Sequence, residues 1–309
     1  MIAILANPAD AHARCVAHDL GTSGHRVAFA DTTWLGRGAH LTFVTGPAAL
    51  RRWVGSDGTV IDLEEASAVW HRRYYYPDPP REVRNPDVRR FTALEWSDLV
   101  SGLFASIPAT FVNEPERQRA AVKPAQLHVA QREGLRIPET LVTSERAHAE
   151  AFIERHRGRV IHKALRAMES RVVYTKPWED SDAAHLGDLA LAPAIFQEMI
   201  ASRREVRATI VGERIFAAEF MIRDGLVDAR LDVGVTLTPH RLPDDVERRL
   251  IALMRRLGLL LATVDLKITA DGEYVFLELN PQGQFLYVER LAGLPICRAV
   301  AELLASHAS

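Results

Sequence analysis

Apolar and polar positions alternate in blocks along the chain, and the first block is a short apolar run, residues 2–6, closed by Asn7-Pro8. Helical spacing follows through Val16 and Leu20 to a stop at Gly21 and Gly24, and a second apolar run begins at Val27. Strand, helix, strand in that order predicts a βαβ start and a parallel sheet. Residues 53–61 read as a hairpin around Gly55-Ser-Asp-Gly58, and residues 67–74 as a strand that arrives at Arg72-Arg73. That arginine pair reads equally well as a solvated strand end or as a rim facing an anion or a peptide. Residues 86–105 have helical spacing, and residues 107–112 form a strand ending at Asn113.

Beyond Asn113 the pattern changes. Glu114-Pro115 starts a helix, with proline where a missing N–H matters least, running over Ala121 and Leu127 to Gln131 and Gly134 with Lys123 inside it. A strand through Val142 leads to a helix capped by Ser144. Residues 159–165 form a strand with Lys163 in its middle, turning into a second strand over residues 172–175. Strands at residues 193–200, 204–211 and 214–222 predict an antiparallel sheet, in which alternation sets Glu205 and Arg207 opposite Val206 and Ala208. A helix over residues 243–257 stops at Gly258, and a last helix covers residues 288–304.

Between those two helices lie Thr263-Val-Asp-Leu-Lys267 and Tyr274-Val-Phe-Leu-Glu-Leu-Asn-Pro-Gln-Gly-Gln284, separated by Asp271-Gly272. They predict a β-hairpin. Side chains two apart on a strand share a face, so Asp265, Glu278 and Asn280 converge on one side. Three hard oxygen donors suit Mg²⁺, whose other positions are commonly filled by water and nucleotide phosphates. A polar face simply wetted by solvent is the competing reading. Lys163, flanked by apolar residues, needs an anionic partner, and a phosphate would provide one.

Composition narrows the class. The 309 residues are 48% hydrophobic, enough for two or three packed units. A net charge of −2 gives no global basic field, which argues against a general nucleic-acid binder. Cys15 and Cys297 are the only cysteines, too few for a disulfide framework or a cysteine zinc site, so the reducing cytoplasm is the expectation. No apolar run reaches membrane-spanning length, and the N-terminal run is too short for a signal sequence. No two of the twelve histidines stand four apart, and no Gly-Lys-Ser/Thr phosphate loop occurs.

Taken in order, Lys123, Lys163, Gln197-Glu-Met-Ile200, Glu205-Val-Arg207, Asp265 and Glu278-Leu-Asn280 resemble the ATP-grasp superfamily over residues 113–305. The ending at residues 276–284, with Leu242-Pro243 before it and Ala292-Gly-Leu-Pro295 after, looks most like the graspetide synthetases, ribosomal-peptide maturases that close ester or amide rings. The resemblance implies an α/β fold, α+β in the C-terminal half. A pre-ATP-grasp parallel-sheet domain at 1–112 would precede a central ATP-grasp subdomain at 113–190 and a C-terminal one at 191–309. It also implies ATP and Mg²⁺ as cofactors. Lys123 and Lys163 would meet phosphates, Gln197, Glu198, Met199 and Ile200 would line the adenine, and Glu205 would hold the ribose. Arg207 and Arg230 would steady the γ-phosphate and an acyl phosphate, and Asp265, Glu278 and Asn280 would hold the metal.

The implied partner is a ribosomal precursor peptide, a leader plus an acidic, Thr-rich core, with no nucleic acid and no membrane. Its leader site would lie between the first unit and the rest, with residues 70–76 as part of it. A homodimer fits the resemblance, although no residue decides it. Two departures stand out. Residues 164–171 contain no glycine, which leaves phosphate cover to Arg166, Ser170 or Arg171, and Asp228-Ala-Arg230 lacks the aromatic residue usual between acid and arginine. The alternatives are a glutamate-ligase-like enzyme that adds amino acids to a peptide or protein, and a nucleotide-binding protein without catalysis.

Overall fold

The structure, a computed structural model, describes residues 1–73, 79–166, 174–223 and 235–308. The first stretch contains β1 (Ile2–Leu5), α1 (Ala11–Thr22), β2 (Val27–Ala30), β3 (His40–Val44), β4 (Leu50–Val54), β5 (Val60–Asp62) and β6 (Ala68–Trp70). Next come α2 (Pro86–Ser106), β7 (Thr110–Val112), α3 (Pro115–Ala120), α4 (Lys123–Arg132), β8 (Thr140–Thr143), α5 (Arg146–Arg155) and β9 (Val160–Lys163). After β10 (Lys176–Pro177), β11 (Ala194–Glu198), β12 (Arg204–Val211), β13 (Arg214–Met221) and β14 (Thr238–His240), the chain ends with α6 (Asp244–Leu257), β15 (Leu261–Ile268), β16 (Tyr274–Asn280), α7 (Leu286–Ala292) and α8 (Ile296–Ser306).

The strand–helix–strand opening folds as expected. β2, β1, β6 and β7 make a parallel sheet in that order. Because β1 is apolar at every position, it feeds both faces: Ile2 and Ile4 pack with α1, α7 and α8, while Ala3 and Leu5 pack with Trp53, Leu103 and Phe104. The hairpin of β4 and β5 gains β3, which the sequence pattern did not show, as a third antiparallel strand.

The C-terminal half is antiparallel. One sheet runs β10-β9-β11-β8, and the other runs β14-β13-β12-β15-β16. The run of three strands predicted over residues 193–222 is therefore divided: β11 pairs with β8 and β9, whereas β12 and β13 join the larger sheet. Val206 and Ala208 sit in the core under α4 and α6, as alternation requires.

Four other local readings change. The helix expected from Glu114 to Gln131 is two, α3 and α4, so Lys123 stands at the first position of α4 and not in a helix interior. Pro124 explains the break, since it has no N–H to donate and constrains the residue before it. The final helix also divides, because Gly293 takes a left-handed φ of 68° and Pro295 follows. Glu145, not Ser144, occupies the cap position of α5. The strand expected over residues 172–175 lies partly outside the described residues, and Lys176–Pro177 is what pairs with β9.

Tertiary structure also pairs the two cysteines that the sequence reading set apart. Cys15 on α1 and Cys297 on α8 form a disulfide, with Cα atoms 6.0 Å apart. Among the described residues no helix is long and apolar enough to cross a membrane.

Two histidines, His71 buried and His12 half-buried, stand where the parallel sheet meets the rest of the chain. His71 lies 3.3 Å from Gln118 Oε1, and His12 accepts backbone N–H groups from Phe285 and Leu286. Burial lowers both pKa values to about 4, assisted by Arg72, Arg73 and Arg290 against Asp10 at His12, and by Arg119 against Gln118 at His71. An unfolded histidine titrates near 6.5, so between there and about 4 the unfolded chain binds protons that the folded chain refuses. Stability should be full above pH 6.5 and fall by about 2 kcal/mol per histidine as the pH approaches the folded values. Urea unfolding at neutral pH and near pH 4.5 checks this, with H71Q expected to flatten the slope.

Candidate active site

The two antiparallel sheets of the C-terminal half line a cavity of about 2240 Å³, to which α2 and α3 also contribute. Every predicted site residue that the structure describes lines it: Lys123, Lys163, Gln197, Glu198, Met199, Ile200, Glu205, Arg207, Asp265, Glu278 and Asn280. Arg230 lies outside the described residues, as do Ser170, Arg171 and Asp228.

The centre of the site is a row of charges across three strands. Arg207 on β12 stands directly opposite Asp265 on β15, and Asp265 stands opposite Glu278 on β16. One guanidinium nitrogen, Arg207 Nη1, lies 2.6 and 2.7 Å from the two Asp265 oxygens. Burial works against the Arg207 charge, but Asp265 outweighs it and holds the guanidinium firmly protonated. Glu278 Oε2 is 3.1 Å from Lys123 Nζ, at the start of α4. Burial pushes the Glu278 carboxyl up, yet Lys123, Lys163 and Arg207 together hold it below the usual range, so it is ionised. Beside this row, Glu205 pairs with Lys267 at 2.8 Å, both nearly buried.

The remaining residues are placed by main-chain structure. β9 and β11 are adjacent, with Lys163 opposite Ile195 and Glu198 opposite Val160. Gln197 turns its amide to Thr140 Oγ1 at 2.8 Å. Met199 N–H donates to the Arg159 carbonyl, which fixes the turn leaving β11. Asp265, Glu278 and Asn280 offer two carboxylates and a carboxamide from facing strands, with Asn280 opposite Thr263 and exposed. That donor set fits a hard divalent cation.

Sequence reasoning missed the residues that hold the turn after β16. Arg72, 2% exposed, is neither a solvated strand end nor a rim: its Nη1 donates to the Gln282 carbonyl at 2.8 Å. Asn113 Oδ1 accepts the N–H groups of Leu260 and Leu261, and its amide donates to the Leu261 carbonyl at 2.7 Å. Gln126 Oε1 accepts the Leu279 N–H at 2.9 Å. Buried polar side chains inside apolar runs were the available signal for Arg72 and Gln126; nothing local marks His12. Trp70, expected at a leader-peptide site, is 1% exposed and belongs to the core, while Tyr74 to Tyr76 lie outside the described residues.

Two antiparallel α+β sheets closing on a cavity with paired lysines and an Arg–Asp–Glu row define an ATP-grasp ligase, a class that works with ATP and a divalent metal. The family model described as a RimK-like ATP-grasp domain matches residues 120–304, and the chain belongs to that family. Macrocyclase MdnC from Microcystis aeruginosa MRC, solved with precursor peptide MdnA, is 29% identical with a TM-score of 0.89 over 99% of each chain. Macrocyclase MdnB from the same organism is 27% identical, with a TM-score of 0.85 over 98% of each. A RiPP-associated ATP-grasp ligase from Chryseobacterium gregarium, in complex with ADP and a leader and core peptide, shares the fold at 23% identity, a TM-score of 0.85 and coverage of 99% of this chain and 96% of its own. No curated protein sequence matches the chain.

The turn after β16 admits no side chain at Gly283. A Cβ there would lie 1.7 Å from Thr263 Oγ1 and 2.6 Å from Thr263 Cβ. G283A should therefore cost about 1 to 3 kcal/mol of stability through overpacking. An unchanged urea midpoint in that variant would contradict the geometry.

Proposed function

We propose that this chain is a ring-forming peptide maturase. It would activate a side-chain carboxylate of a ribosomal precursor peptide with ATP and join it to a hydroxyl or amine of the same peptide. The observation that carries the reading is the row Arg207–Asp265–Glu278–Lys123, which gathers two cations and two carboxylates on one wall of the cavity with Lys163 on the other. Likeness to MdnC and MdnB over nearly the whole chain supports the peptide as substrate.

In this reading the Lys123 and Lys163 ammonium groups meet nucleotide phosphates, Gln197, Glu198, Met199 and Ile200 line the adenine, and Glu205 holds the ribose. Asp265, Glu278 and Asn280 would hold Mg²⁺, which supplies charge neutralisation to the phosphates. Arg207, already charged and fixed, stands where negative charge accumulates as phosphoryl transfer proceeds. Arg230 joins it on the strength of sequence order alone. The substrate carboxylate oxygen attacks the γ-phosphorus, ADP leaves, and an acyl phosphate forms. A hydroxyl or amine then attacks the acyl carbon, loses its proton and expels phosphate, so that each ring removes one water from the peptide.

The units at 1–112, 113–190 and 191–309 are proposed as pre-ATP-grasp, central and C-terminal subdomains. The leader plus acidic, Thr-rich core is the proposed partner, in the cytoplasm, with a homodimer as the assembly to check by light scattering.

Mass spectrometry of an acidic, Thr-rich precursor incubated with the enzyme and MgATP tests the reading. Products lighter by one water per ring are expected, and E278Q should lower their rate at least about 100-fold without losing the fold. Undiminished turnover in E278Q would overturn the metal assignment. A gain of amino-acid mass would assign the amino-acid-adding ligase, and an unchanged mass without phosphate release a non-catalytic nucleotide binder.

A further inference from the structure

His12, in the first turn of α1, reaches across to the segment that follows β16. Its Nε2 accepts the backbone N–H groups of Phe285 and Leu286 at 3.1 and 3.2 Å. Its ring meets the Phe285 ring edge-on, with centroids 4.8 Å apart. These N–H groups open α7, and Phe285 at the cap position supplies no side-chain acceptor of its own. The first N–H groups of a helix have no partner within it, and a nearby Ser, Thr, Asp or Asn normally supplies one. Here an imidazole from a distant element does so.

Accepting two N–H groups leaves no room for a proton on Nε2. The ring hydrogen is then on Nδ1, 3.8 Å from Asp10 Oδ1. Charged neighbours agree with a neutral ring: Arg72, Arg73 and Arg290 oppose its protonation, and Asp10 alone favours it.

The held segment forms part of the cavity wall. Gln284, just before Phe285, gives its carbonyl to Arg207 Nη2 at 3.3 Å. Tyr287, just after Leu286, lines the cavity with Gln284, and after burial itself the Arg207 charge is the strongest influence on its phenol. Both therefore border the Arg207–Asp265 pair, where the proposed reaction takes place.

We propose that His12 is a positioning residue for the chemical step, holding Gln284 and Tyr287 against Arg207 through the backbone N–H groups of Phe285 and Leu286. The kinetic part rests on the function proposed above; the structural part does not.

Two variants of the full chain test it: H12F, which keeps a ring and removes the acceptor, and H12Q, whose Oε1 can still accept. Amide hydrogen exchange over residues 284–288 should quicken at least about ten-fold in H12F, with β15 and β16 unchanged, because one lost acceptor frees that segment alone. ADP affinity by calorimetry should stay within about two-fold, and turnover with precursor peptide should fall about ten-fold in kcat with KM for ATP unchanged. H12Q should regain at least half of both the protection and the turnover. Unchanged exchange in H12F, or exchange that rises throughout the chain with loss of ADP binding, overturns the proposal. So does full turnover in H12F despite locally quickened exchange. A wild type that binds ADP and modifies no peptide counts against the proposed function. In that case locally quickened exchange in H12F, restored in H12Q, still supports the positioning, and its absence overturns it.

Discussion

Two carboxylates in register on neighbouring strands repel each other, and the site is arranged around that fact. Asp265 and Glu278 face across β15 and β16, where like charges ordinarily destabilise a sheet. Each is answered from outside the pair: Arg207 from the next strand at 2.6 Å, and Lys123 from the start of α4 at 3.1 Å. The row therefore runs cation, anion, anion, cation, with each carboxylate flanked by one cation. Under the proposed function, ligands that bind here exchange partners with charges already in place: phosphates meet the lysines and a divalent cation meets the carboxylates. The protein needs little reorganisation at that moment, which is the condition under which fixed charges assist phosphoryl transfer most.

The row depends on elements far away in sequence. β16 is held at Leu279 by Gln126 of α4, and the turn beyond it by Arg72, which follows β6. Asn113 fastens the end of β7 to the start of β15, and His12 holds the start of α7. Three of these four belong to the first 113 residues. The N-terminal region thus contributes hydrogen bonds to the start of β15, to the turn after β16 and to the start of α7. Because Arg72, Asn113 and Gln126 are buried and polar, removing one would leave an unsatisfied group, which costs more than the bond itself contributes.

The disulfide between Cys15 and Cys297 and the packing of α1 on α8 join the same two regions. Between them α7 connects the last strand of the larger sheet to α8, its Glu289 accepting the Cys297 N–H at 2.6 Å. Burial raises the Glu289 carboxyl, partly offset by that hydrogen bond. Helices α1 and α8 are thereby tied together next to α7, although they are separated by nearly the full chain.

Local pattern was enough for much of this. Period-two alternation put Asp265, Glu278 and Asn280 on one face of their hairpin and Glu205 with Arg207 on one face of β12, because a strand leaves its side chains no other choice. Strong punctuation fixed α2, α6 and the β15–β16 hairpin to within a residue or two. The breaks at Pro124 and Pro295 were also written in the chain, and the helical spacing on either side concealed them. What no window of sequence contained was who answers each charge. Arg72 looked like a strand end and is a buried donor to Gln282. His12 carried no local signal and caps a helix 273 residues away. Two cysteines looked unrelated and are bonded. Sequence determines which face of its own element a residue occupies, since backbone periodicity is local. Only tertiary packing decides what that face meets, since burial, desolvation and pairing depend on residues brought together from distant parts of the chain.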